Sequence, residues 1–406
     1  MAKLNRKALI AAAVTGLLAA TGVQAQVSDD AVRLGVMADM TGPYAGNGGP
    51  GSTLAVRMAV EDFGGKVLGK PVEVLVADDQ NKPDVGTNIA RQWLEQNKVD
   101  AIVGGSASSI ALSVSNMMKA AKKPYLIAGT VASDLTGKAC SPMNIQFAVD
   151  TYSMPKAGVQ ALMGQGIKSF FFIAVDYAFG AAFQAEATRF IEAAGGKVVG
   201  SVKHPLGTTD FSSYLMQAQA SKAQAIVVLN AGLDQTNALK QAAEFRIARN
   251  GQAVSVFGMT LNAVHAMGLD VAQGLQFTDP MYWDRTDETR AWAKRFMERN
   301  NGVAPTYIMA SAYSAATHYL KAVQAAGTDE PKAVMAKMRE IPVNDVMTKN
   351  GKLREDGRLE RDMYLFQVKT PAESKSKDDI YKLIATVPGN EAYRPMKDGK
   401  CPFVKN

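Results

Sequence analysis

The feature that most constrains this chain is an alternation, run through twice, of short β-branched stretches and longer amphipathic ones. Arg33–Met37 reads as a strand, Ser52–Phe63 as a helix and Val72–Val76 as the next strand. Lys82–Gln96 follows as a helix, with Asn81 expected as its cap and Pro83 in its first turn. Asp100–Val103, Ile110–Ala120 and Pro124–Ile127 continue the series. The pattern restarts at Ser169–Val175 and runs through helix Phe179–Ala194, strand Ala225–Leu229, helix Asp234–Phe245 and strand Ser255–Gly258. Strand–helix–strand units of this length imply right-handed crossovers and a parallel sheet. At 406 residues the chain is also too long for one ordinary core. The expected class is therefore α/β, with two doubly wound parallel-sheet lobes in tandem.

The rest of the chain does not read as a third domain. Leu275–Phe277 and Asp362–Val368 have strand character, and Ser311–Ala325 is a good helix. The expected organisation is lobe 1 at 26–149, lobe 2 at 150–274, a return to lobe 1 at 275–343, a return to lobe 2 at 344–370 and a C-terminal tail at 371–406. Crossings near Val149–Tyr152, Gly274–Thr278 and Asn344–Gly351 would form a hinge on which the lobes close over a ligand.

Residues 1–25 differ in kind. Lys3, Arg6 and Lys7 precede an apolar run, Ala8–Ala20, and Val23-Gln24-Ala25 supplies small residues at a cleavage spacing. This predicts a secretory signal peptide, too short to anchor in a membrane. No cysteine follows the run, so a lipid anchor is not expected. The mature protein is expected in the periplasm. The formal charge is +7, and three of those positives lie in the leader, so +4 remains, spread along the chain. No basic stripe interleaved with aromatics points to nucleic acid. The two cysteines, Cys140 and Cys401, sit in polar, turn-like contexts, and in an oxidising compartment they suggest one disulfide tying the tail to the first lobe.

Motifs for chemistry are lacking. His204, His265 and His318 are scattered without metal spacing. Gly48–Gly51 lacks the Lys-Ser/Thr ending of a phosphate loop, and no dinucleotide fingerprint or nucleophile elbow occurs. No catalytic residues, metal or cofactor are expected.

Ligands of doubly wound sheets bind beyond the carboxyl ends of the strands. Gly104-Gly105-Ser106-Ala107-Ser108-Ser109 follows one strand and leads into a helix, where amides and hydroxyls favour an anion. Ala128-Gly129-Thr130-Val131-Ala132 follows the next. The second lobe offers Asp176-Tyr177-Ala178-Phe179-Gly180, Asn230-Ala231-Gly232, and Thr260-Leu261-Asn262 with His265 beyond. Any one of these segments alone reads as a capping turn or a core edge.

In order along the chain, Val36–Tyr44, Ala77–Pro83, Val103-Gly104 with Ser108-Ser109, Ala128-Gly129 with Asp134–Thr136, Asp176–Gly180 and Lys240–Ala242 resemble type I periplasmic binding proteins of the leucine/isoleucine/valine-binding group. Such proteins serve ABC importers, so the resemblance implies a small-molecule ligand and a membrane permease as partners, with a monomer expected and no enzymatic activity. The family's carboxylate-binding serine falls on Ser108, and its next ligand-binding turn on Gly129–Val131. The threonine that helps hold an α-ammonium is Val131 here, the acidic residue that pairs with it is Thr260, and a neighbouring tyrosine is Ala231. The carboxylate half of the site is therefore expected to be kept and the ammonium half lost.

Ala90–Trp93, Ser133–Pro142 and Asp210–Ser213 are similar to a branch whose members often take aromatic carboxylates. Tyr44, Tyr152, Tyr177, Phe179 and Trp283 suit that ligand class. The expected site comprises Tyr44, Ser108, Ser109, Gly129, Val131, Tyr152, Tyr177, Phe179, Ala231, Thr260 and His265. Alternatives are a receptor for branched-chain or other amino acids, and a ligand-sensing regulator that reports to a membrane partner. An exported enzyme fits less well.

Overall fold

The computed structural model describes residues 27–404, so the expected leader lies outside the described residues. The first sheet comprises β1 (Val32–Ala38), β2 (Lys66–Val67), β3 (Lys70–Asp78), β4 (Ala101–Gly104), β5 (Tyr125–Ile127) and β6 (Asn144–Gln146) in the order β2-β3-β1-β4-β5-β6. All neighbours are parallel except the β2–β3 hairpin. The second sheet comprises β7 (Ser169–Val175), β8 (Lys197–His204), β9 (Ala225–Leu229) and β10 (Ala253–Ser255), ordered β10-β9-β7-β8 and wholly parallel. Every residue of β4 and β9 is buried, as continuous apolar runs between two helical layers require.

β11 (Gln276–Asp279) does not open the return to the first lobe. After the two-residue strands β12 (Lys352–Leu353) and β13 (Leu359–Glu360) comes β14 (Met363–Val368), with which β11 pairs, and β15 (Tyr381–Val387) pairs on its other side in an antiparallel sheet. Phe277, Phe366 and Tyr381 join the core under the second lobe. Helix Tyr307–Ala326 returns to the first lobe and buries its apolar face in the core there, against helix Gly49–Asp62.

The third crossing also lies later than expected. Val343 and Gly351 exchange backbone bonds of 2.8 and 2.9 Å, and Gly357 accepts from the Gln146 amide at 2.8 Å. These bonds keep 343–357 with the first lobe, and the chain crosses near Arg361. Arg358 ties the first crossing to the third: its buried guanidinium lies 3.3 Å from Asp150 and donates to the Gln146 carbonyl at 2.7 Å. Asn81 is not the cap of the following helix. It has φ +56°, and Lys82 occupies the cap position with no side-chain bond.

Cys140 and Cys401 form a disulfide, with Cα atoms 5.6 Å apart, closing the tail onto the first lobe. Arg394 in the tail donates to the Ser133 carbonyl at 2.8 Å. Among the described residues no helix is long and apolar enough to cross a membrane.

Candidate ligand-binding cleft

The turns after β1, β4 and β5 face those after β7, β9 and β10 across a cleft of about 840 Å³ including its mouth, of which about 80 Å³ admits the centre of a water molecule. That is room for a small, compact ligand. Two first-lobe turns approach each other so closely that they need glycine. A Cβ on Gly104, at φ +125°, would stand 2.1 Å from the Met37 carbonyl, and one on Gly129 would stand 2.3 Å from the Gly105 carbonyl.

Six helices begin at the cleft. Those starting at Gly49, Ser108 and Tyr307 belong to the first lobe, and those starting at Ala178, Gly232 and Leu261 to the second. Five of the six have no side-chain cap bond; only Thr306 caps its helix. Their free amides and aligned dipoles make the cleft electropositive. Among the described residues no lysine or arginine lines it, and its one acidic side chain is Asp39. Asp39 is buried, and its two oxygens accept from the Gly42 amide at 2.5 Å and the Tyr44 amide at 2.9 Å.

The lobes touch, so this is a closed arrangement. Tyr44 and Tyr177 hydroxyls meet at 2.6 Å. Thr260 donates to Asn47 at 3.3 Å, and Asn262 to the Gly46 carbonyl at 2.5 Å. Gly232, at φ +61°, lies where a Cβ would stand 2.5 Å from the Pro43 carbonyl. Burial pushes both tyrosine hydroxyls above the ordinary phenol range. Behind them, burial raises Asp234 to about 6, against the amides of Gly207 and Thr208.

The structure brings together Tyr44, Ser108, Gly129, Val131, Tyr177, Phe179, Ala231 and Thr260 on the cleft wall. Ser108 is the first residue of its helix, and its hydroxyl accepts from Thr130 at 3.3 Å. Ser109, Tyr152 and His265 are not on the wall. Ser109 lies one position further round the first turn, where its carbonyl accepts from Ser113. Tyr152 packs edge-on against Phe190, under Arg189. His265, four residues past Leu261 on a seven-residue helix, bonds Asp378 at 2.8 Å. Trp283 likewise bonds the Asp378 carbonyl.

Sequence reasoning missed Asn47, Ser52, Tyr307, Ile308, Gln235 and Met259. Asn230, offered by the sequence as the head of a candidate turn, lies on the wall, and its orientation is fixed by a chain of bonds. Thr208 spends its proton on the Pro205 carbonyl, so His204 Nδ1 must donate to that carbonyl, at 2.8 Å. His204 Nε2 is then an acceptor, and Asn230 Nδ2 donates to it at 2.7 Å. Asn230 Oδ1 is left buried with no partner among the described residues.

Two doubly wound lobes closed on a small cavity whose described walls carry no cation and a single carboxylate define a ligand-capturing protein. A family model described as periplasmic binding protein matches residues 31–377, and the chain belongs to that family, whose members are solute-binding proteins and not enzymes. A periplasmic binding protein from Burkholderia mallei is 43% identical, with a TM-score of 0.90 over 93% of this chain and 100% of that one. A branched chain amino acid ABC transporter periplasmic ligand-binding protein from Burkholderia xenovorans LB400 is 41% identical, with a TM-score of 0.82 over 92% and 99%. A solute-binding protein of an ABC transporter from Rhodopseudomonas palustris BisB5, in complex with 3,4-dihydroxy benzoic acid, shares the fold at 21% identity, with a TM-score of 0.80 over 89% and 98%. The chain spans 55% of the length of Leu/Ile/Val-binding protein homolog 6 from Brucella abortus, which it matches at 26% identity over 55% of its own length.

Proposed function

We propose that this protein captures a small carboxylate in the periplasm, an aromatic acid of the benzoate or phenylpropenoid type, and delivers it as a monomer to the permease of an ABC importer. The observation that carries the reading is the charge balance of the closed cleft. Six helix starts surround a space that no lysine or arginine among the described residues enters, where an anion is favoured. An α-ammonium there needs an acidic partner, and Thr260, Ala231 and Val131 supply none. Leaving such a charge unpaired costs several kcal/mol.

In this reading Ser108 and the first amides of its helix take the carboxylate, and Met37, Met154, Phe179 and Ile308 enclose the ring. Asn230 Oδ1 awaits a donor, which a ring hydroxyl supplies. A second reading, an amino-acid receptor, is favoured by Asp39, the one carboxylate on the wall, and by the description of the 41%-identical relative. A thermal-shift screen of amino acids against benzoate-type acids tests the choice. A ligand at a hundred times its Kd stabilises by about 2.7 kcal/mol. The proposal expects the acids to raise the midpoint, and shifts confined to amino acids would refute it.

A further inference from the structure

Gln235 presents to the cleft an acceptor that nothing among the described residues satisfies. It is the fourth residue of the helix that starts at Gly232, and it is 3% exposed. Its side-chain amide clamps two turns of the second lobe together. Nε2 donates to the Asn230 carbonyl at 3.1 Å, just after β9, and to the Gly258 carbonyl at 2.8 Å, after β10. Those bonds use both amide hydrogens. They also fix which way the group points, since a flipped amide would set Oε1 against two carbonyl oxygens. Oε1 is the atom left over. It is not walled off, as fully buried unpartnered atoms are, and in so buried a residue its accessible surface opens where Gln235 meets the cleft.

The surroundings make this acceptor selective. The second-lobe wall is apolar at Met154, Phe179 and Met259. The hydroxyls of that region are engaged: Thr260 donates to Asn47 at 3.3 Å, and Tyr44 and Tyr177 bond each other at 2.6 Å. A ligand that brings a donor to Oε1 replaces the bond to water that closure removes. A ligand that brings a C–H or an ether oxygen leaves the acceptor desolvated and unpaired, which is where polar sites discriminate most strongly.

We propose that Gln235 is a specificity-determining residue, and that it selects carboxylates carrying a neutral hydrogen-bond donor, a ring hydroxyl, at the end held by the second lobe. The inference rests on the aromatic-acid reading above and narrows it: hydroxylated acids are taken in preference to benzoate itself and to methoxylated acids. Ser108 on the first lobe offers a hydroxyl and helix amides to the carboxylate, and Gln235 on the second offers a fixed lone pair to the hydroxyl. Gln235 thus adds an open acceptor beside the buried one of Asn230, whose carbonyl it holds.

The test is isothermal titration of the full chain with benzoate, 3- and 4-hydroxybenzoate, and 3- and 4-methoxybenzoate, repeated on Gln235→Met. The parent should bind one of the hydroxybenzoates about tenfold or more tighter than benzoate and than the matching methoxybenzoate. In Gln235→Met that advantage should shrink to about twofold or less. The ratio separates recognition from structure, because a loosened turn weakens every ligand together. A crystal structure of the parent with the preferred hydroxybenzoate should place the ring hydroxyl within about 3 Å of Gln235 Oε1, and it decides the matter if the variant does not fold. Equal or tighter binding of benzoate or a methoxybenzoate by the parent would overturn the role of Gln235 and leave the aromatic-acid reading standing. So would a hydroxyl advantage kept in full by Gln235→Met, or a hydroxyl bound away from Oε1. Saturable binding of none of these acids would overturn the aromatic-acid reading itself, and this inference with it.

Discussion

The hydroxyls of Tyr44 and Tyr177, one from each lobe, lie 2.6 Å apart over the cleft. This bond exists only when the lobes are shut, so its loss should act on closure. Tyr177→Phe is expected to cost roughly 0.5–1.5 kcal/mol of the closed form. Stopped-flow release of ligand should accelerate by up to about tenfold, with association little changed. Small-angle scattering should show the ligand-induced contraction in the parent protein and a smaller one in the variant. Unchanged release would mean that the two hydroxyls are bystanders.

Ser108→Ala tests the anion end of the cleft. The serine hydroxyl stands at a helix start whose amides carry no side-chain cap. Its removal should weaken carboxylate binding by roughly 1.5–3 kcal/mol, the range for a hydrogen bond to a charged group. The unfolding midpoint should move far less. Normal binding with early unfolding would reduce Ser108 to a packing role.

Much of the fold was legible because the buried strands are written plainly. Ser169–Val175 and Ala225–Leu229 are near-continuous apolar runs, and the structure has the same limits. Lys197–His204 was not legible: it is an edge strand, mostly exposed or half-buried, whose valines are interrupted by Gly200 and Ser201 and flanked by Lys197, Lys203 and His204. Helix Asp287–Arg299 was missed although Thr286 and Thr289 form a capping box, a signal that could have been read. At the site, the turns after successive strands could be listed from sequence, but Asn47 and Tyr307 could not be joined. They lie far apart along the chain and meet through Thr306, which bonds the Asn47 carbonyl. His265 failed for a local reason: the short helix carries it towards Asp378 and away from the cleft.

Asp234 should give the protein a pH-dependent stability. Its folded pKa is about 6, against 3.8 ordinarily. The folded state therefore holds this proton more tightly than the unfolded chain, and the sign of the linkage makes stability fall as pH rises through that window. Urea unfolding from about pH 4 to about pH 6.5 should show the parent losing stability relative to Asp234→Asn, with parallel profiles above that range. Parallel profiles throughout would mean that the carboxyl is not raised.

The Cys140–Cys401 bridge spans 261 positions and holds the tail against the first lobe. Replacing both cysteines with serine should lower stability by roughly 2–5 kcal/mol. Ligand affinity should hold within about threefold, since neither residue lines the cleft. A large loss of affinity with little loss of stability would instead make the tail part of the closing device.

The central claim is that the closed cleft takes an acid without an α-ammonium. Isothermal titration of ligand-free protein with 4-hydroxybenzoate, a hydroxylated phenylpropenoid acid, leucine and valine tests it most directly. The account predicts saturable heat with at least one aromatic acid at a micromolar or lower Kd, about −8 kcal/mol or better, and none with leucine or valine. Micromolar leucine binding, abolished by Asp39→Asn, would contradict it and make Asp39 the ammonium partner of an amino-acid receptor.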